Sequence, residues 1–277
     1  MRMIDVTMTR AYEMMVILYA LSIVLYFIDY FYKQAKIRRT AFWIVSIVWV
    51  MQTVFFLLYI MEMKRFPVLT LIEGVYFYAW LLITISIILH CIARVDLPVF
   101  FINILGFIFV TIHLFAPDQV QNPLGESAVS EMLIIHISFA ILSYATFTLT
   151  FVFSVLYLIL YKILKKKKFS KLWSRLPSLQ QISMWINSSI LIGNPLFFIS
   201  ILLGLEWAFM TLEGLSVIDA KIIGSFIIFV IYLIILVLHR KGKLSGLNYS
   251  WANIYTFLLV VINFFLGSKL SNFHLWY

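Results

Sequence analysis

A chain of 277 residues that is 64% hydrophobic and 12% charged carries more apolar side chain than an aqueous core of this size uses. Its net charge of +9 does not imply nucleic acid, because the basic residues lie in the gaps between long apolar runs, where they act as topology anchors and meet anionic lipid. The single cysteine, Cys91, excludes an internal disulfide and Cys-x-x-Cys thiol chemistry, and is read as an apolar packing residue.

In lipid the backbone must satisfy its own hydrogen bonds, so long apolar runs become helices. Eight runs predict spans at about 9–32, 41–63, 68–93, 98–116, 130–163, 186–210, 219–239 and 250–270. The first is too long for a cleavable signal and ends in Tyr30, Phe31, Tyr32 and Lys33 with no small-residue cleavage site. Asp29 and Glu62 fall near span ends and are expected to reach the interface. Glu73 falls about one turn inside the third span. The loop 117–130 is polar, with Pro123 and Gly125 as turn formers. The fifth span is long enough to project from the bilayer, and His136 lies near its start. After the basic segment 165–175, Ser178 and Gln181 predict a capping box for a helix starting at Leu179. That helix is expected to lie at the interface until Gly193-Asn194-Pro195 bends it into the sixth span. Glu206 and Trp207 close the sixth span, His239 ends the seventh, and His274 follows the eighth.

Fifteen of the 21 Lys and Arg residues fall in one set of loops, from Lys33 to Lys243, and six in the other. The richer side is cytoplasmic. The expected fold is therefore all-α: one polytopic integral membrane domain over residues 1–277, a bundle of eight transmembrane helices with N- and C-termini outside, in the plasma membrane of a bacterium.

No phosphate loop, zinc motif or serine nucleophile elbow occurs, so no catalytic residue is assigned and the chain is read as a non-enzyme. Ionisable residues in the membrane are costly and mark function. His113, His136 and His274 map to the outer side, and His90 and His239 to the inner. His90 and His113 are read as packed and hydrogen-bonded. An imidazole in such surroundings serves as a metal ligand, a proton carrier or a structural group. The pair His136 and His274, at similar depth, has the donor set for the two axial positions of a haem iron, with Lys221 or Lys269 to meet the propionates.

Several stretches together resemble the cytochrome c assembly proteins, over about residues 65–274. They are Arg65-Phe66-Pro67-Val68 followed by Glu73 and Trp80; His136 through Tyr144 to Tyr157-Leu158; Leu176-Pro177-Ser178-Leu179; Gly193-Asn194-Pro195-Leu196; and Gly204-Leu205-Glu206-Trp207-Ala208. His239 matches a membrane histidine of that family, and His274 the histidine beyond its last helix. The resemblance implies that His136 and His274 are external axial ligands of a non-covalent, b-type haem. It implies that Trp207 and Asp219 belong to a tryptophan-rich platform and that His239 belongs to a second, inner site. The platform departs from the family pattern: of its residues only Trp207, Asp219 and Lys221 survive in 207–221. The whole chain most resembles the HemX branch, which implies a membrane haem-binding accessory protein that lowers the amount of glutamyl-tRNA reductase. Haem, membrane lipid and that enzyme, or another cytoplasmic regulator read through the basic segment 165–175, are the partners expected. A haem-delivery or ligation component of cytochrome c biogenesis is the alternative. A secondary transporter using Glu73 and Glu206 ranks below both, since both carboxylates lie near the surface rather than at mid-bilayer.

Overall fold

The computed structural model describes residues 2–32, 34–93, 96–115, 130–166, 177–211 and 219–267. His274, Lys269, most of the loop 117–130 and most of the basic segment 165–175 lie outside the described residues. Within them the chain is helical: α1 (Arg2–Tyr32), α2 (Ala35–Met63), α3 (Leu71–Ala93), α4 (Asp96–Leu114), α5 (Glu131–Lys165), α6 (Leu179–Thr211), α7 (Ala220–Arg240) and α8 (Gly246–Ile262), with a π turn at Asn263–Gly267. Seven of these helices, α1 to α7, are long and apolar enough to cross a bilayer, which makes this a multi-pass membrane protein. α8 has 17 residues, below the about 20 that a span needs, and the π turn continues it to Gly267. Large apolar side chains such as Ile17, Trp43, Ile92 and Phe209 face outward, as a hydrocarbon solvent permits.

The chain divides into two compact units, the first holding α1–α4 and the second α5–α8. In the first, Tyr12, Tyr19 and Tyr26 recur every seven residues along one face of α1. Tyr19 and Tyr26 are buried with Val45 and Val48 of α2, Ala79 and Ile83 of α3, and Val99 and Val110 of α4, and Tyr12 packs against this core. Polar side chains tie the helices together. The Tyr19 hydroxyl donates to Asn103 Oδ1 at 3.2 Å, and Asn103 Nδ2 donates to Ser86 Oγ at 2.6 Å. Trp49 Nε1 donates to Thr84 at 2.8 Å and Trp80 Nε1 to Thr53 at 2.9 Å. Such interhelical bonds contribute about 0.6 kcal/mol each in a bilayer, so they set register as much as stability.

Arg65 grips Glu73 with both guanidinium nitrogens, at 2.8 and 3.0 Å, and the Tyr59 hydroxyl donates to the same carboxylate at 2.9 Å. Hydrogen bonding to Glu73 raises the pKa of Arg65 above its usual range, so the guanidinium stays charged. Glu73 is thus a structural anchor at the start of α3. Asp29, expected at the interface, is only 2% exposed: the α1 face that carries Tyr26 turns it inward, while Glu62 is exposed as expected.

In the second unit, α5 and α6 pack along their length. Gly193 makes this possible: a Cβ there would collide with Thr146 Oγ1 and come within 3.0 Å of the Phe147 ring. The capping box at the start of α6 is present, with Gln181 N donating to Ser178 Oγ at 3.2 Å and Ser178 N to Gln181 Oε1 at 2.9 Å. The expected separate interfacial segment is not. α6 runs through Pro195 as one helix of 33 residues. Proline removes one backbone hydrogen bond, and the tight seam with α5 holds the helix together across that gap.

Candidate functional site

His136 stands in the second turn of α5, a helix opened by Ser130, whose side chain accepts from Leu133 N at 3.3 Å. Its ring is locked onto α6. Nδ1 lies 2.6 Å from the carbonyl oxygen of Ser200, and since a carbonyl only accepts, Nδ1 carries the proton and donates. Ser200 Oγ returns a bond to the His136 carbonyl at 3.0 Å and lies 3.1 Å from Nδ1. One turn further, Gly204 lets the helix approach the imidazole. A Cβ at Gly204 would stand 2.5 Å from Cε1, 2.7 Å from Nδ1 and 3.1 Å from Nε2. The result is an imidazole with a fixed plane and a fixed tautomer, whose Nε2 is the lone-pair nitrogen. This is the support that ligating histidines receive from groups outside the metal's own ligand set.

Three other candidate residues collect at the same end of the unit. Trp207 is 6% exposed and follows Gly204 on α6. Asp219 caps α7, its carboxylate accepting from Lys221 N at 2.9 Å. Lys221 is 9% exposed, places its ammonium 5.9 Å from the Phe264 ring centroid, and stands within electrostatic reach of the His136 imidazole. Phe264 belongs to the π turn, which is tied back to α7 by Asn263 Nδ2 donating to Ser225 Oγ at 3.1 Å. The described chain therefore ends, at Gly267, beside the elements that carry His136 and Lys221.

His239 lies at the other end of α7, about 27 Å from Lys221 by helical rise. Its Nδ1 donates to the Leu244 carbonyl at 2.9 Å, and its ring stacks on Tyr249 with centroids 3.9 Å apart. The structure therefore brings His136, Trp207, Asp219 and Lys221 to one end and sets His239 apart. His90 stacks on Phe42 at 4.4 Å, and His113 takes a 3.0 Å hydrogen bond with the Tyr12 hydroxyl, so both are packed residues. Ser200 was not singled out from the sequence, and Gly204 only as part of a motif. The signal available was the pair Ser200-x-x-x-Gly204, two small residues one helical turn apart that allow close helix approach.

A haem would be held here through His136 Nε2, with Lys221 as the cation on the same side. The single oriented imidazole fits that use; among the described residues no group of three or more His, Cys, Asp and Glu side chains could hold a bare metal ion.

An all-helical, multi-pass membrane scaffold with an oriented imidazole at one helix end is the class of protein the geometry defines. The cytochrome C assembly protein family matches over residues 68–274, and the chain belongs to that family. It is 42% identical over 273 residues to Protein HemX of Bacillus subtilis (strain 168), covering 98% of this chain and 99% of that one. It is 35% identical over 266 residues to Protein HemX of Brevibacillus brevis, covering 96% and 97%.

Proposed function

We propose that this is a non-enzymatic haem-binding protein of the bacterial plasma membrane, with the His136 end outside. His136 and His274 would hold the haem iron, with Trp207 beside the macrocycle and Lys221 as the cation for its carboxylates. Haem so bound supplies an iron centre whose occupancy reports haem supply. The observation that carries the reading is the fixed His136 ring, donating from Nδ1 to Ser200 and seated against Gly204. The described chain stops at Gly267, seven residues before His274. Asp219 shapes the site by capping the helix that carries Lys221. His239 is proposed as part of a second, inner site.

The regulatory output proposed is a lower amount of glutamyl-tRNA reductase, read by a cytoplasmic partner at the basic end of the α5–α6 pair. Likeness to the two HemX proteins supports this over haem ligation. The test is the visible spectrum of the purified full chain with and without added haem. A bis-histidine signature lost in His136→Ala and in His274→Ala is expected; spectra unchanged in both variants overturn the site. Gene deletion should raise glutamyl-tRNA reductase and leave c-type cytochromes normal. Loss of the cytochromes would instead make the protein a ligation component.

A further inference from the structure

The basic end of the second unit holds a cleft that borders His239 of the proposed inner site and whose other lining residues the function above does not use. It has a volume of about 600 Å³ and is open on one side. This is within the range of sites that take small molecules. Its walls come from three helices: Tyr157 of α5, Gln180, Ser183 and Asn187 of α6, and His239 and Arg240 of α7, with Leu179 and Met184 as an apolar margin.

Three features define the occupant. Arg240 supplies a guanidinium to the lining. Lys162, Lys165, Lys166, Lys241 and Lys243 surround this end of the unit and add to the positive field. Asn187 also lines the cleft, and its Oδ1 is buried without a hydrogen-bond partner among the described residues, an acceptor that a turn of the side chain would present to an occupant. An occupant that satisfies both must present an anionic oxygen group to Arg240 and a hydroxyl or amine to Asn187. His239 is already committed at Nδ1 to Leu244 and by stacking to Tyr249, and is a wall of the cleft rather than its recognising group.

We propose that this cleft binds a phosphate group bearing a hydroxylated substituent, carried by an anionic phospholipid of the phosphatidylglycerol type. The helix ends around the cleft are the ends of membrane spans, so a headgroup arrives there already tethered, and the exposed apolar side chains of Met184, Leu191 and Val237 offer the acyl chains a path along α6 and α7. Phosphate recognition by arginine supplies the affinity, and the hydroxyl donated to Asn187 supplies the choice of headgroup.

The test uses native mass spectrometry of the detergent-purified full chain titrated with phosphatidylglycerol, with phosphatidylcholine of the same acyl chains, and with inorganic phosphate. One phosphatidylglycerol should be retained about tenfold more tightly than phosphatidylcholine. Arg240→Gln and Asn187→Leu should each weaken it about five- to tenfold, Arg240→Lys should restore most of the loss, and Lys243→Gln outside the cleft should change it less than about twofold. Equal retention of the two lipids overturns the proposal, as does unchanged binding in Arg240→Gln with unaltered thermal unfolding. Inorganic phosphate that binds alone and displaces the lipid would uphold phosphate recognition and overturn the lipid as its source.

Discussion

Gly204→Ala places one methyl group where the His136 ring now lies. The added carbon would stand 2.5 Å from Cε1 and 2.7 Å from Nδ1, whereas carbon contacts settle near about 3.5 Å or beyond. The ring must withdraw by about 1 Å, which stretches the 2.6 Å bond from Nδ1 to the Ser200 carbonyl past hydrogen-bonding distance. Overpacking costs about 1–3 kcal/mol and the lost bond about 1 kcal/mol. Better helix propensity of alanine returns at most about 1 kcal/mol. The expected net destabilisation is about 1–3 kcal/mol, read by denaturant unfolding in mixed micelles. The decisive measurement is the double-mutant cycle with His136→Ala. With the imidazole removed, Gly204→Ala should be neutral or stabilising by up to about 1 kcal/mol. An equal cost in both backgrounds would refute the claim that Gly204 exists to seat this ring.

Arg65→Met should destabilise the first unit by about 3 kcal/mol in the same assay, because it strands a carboxylate that is 6% exposed. Arg65→Lys should cost less but not nothing, since an ammonium cannot make the paired contact, and Arg65→Met with Glu73→Met should recover most of the loss. Gly193→Ala should loosen the α5–α6 seam by about 1–3 kcal/mol, and Thr146→Ala in the same chain should return part of that, because Thr146 Oγ1 is the atom in the way.

The spans were legible because lipid imposes one rule on the whole chain: apolar runs of sufficient length must be helical. The capping box at Ser178 and Gln181 was legible for a local reason, since its two bonds form within a single turn. What followed it was not. Gly193-Asn194-Pro195 reads as a break, but whether a proline breaks a helix depends on what packs beside it, and Thr146 and Phe147 lie 46 or more residues away in the chain. Asp29 shows the same limit: its position near a span end was readable, whereas the face it occupies depends on where α1 turns its tyrosines. At the site, the residue types were readable and their arrangement was not. His136 and Trp207 announce themselves by chemistry, while Ser200 acts through its backbone carbonyl, a group every residue has.

α5 has 35 residues and α6 has 33, so each rod measures about 50 Å, against about 30 Å of hydrocarbon. Tilting at ordinary angles absorbs only part of that excess. The paired helices must therefore run past the acyl chains at their ends, through the headgroup layer and into the water beyond. A soluble protein could grasp such a projecting end without entering the hydrocarbon, and shortening it would remove the handle while leaving the spanning part whole.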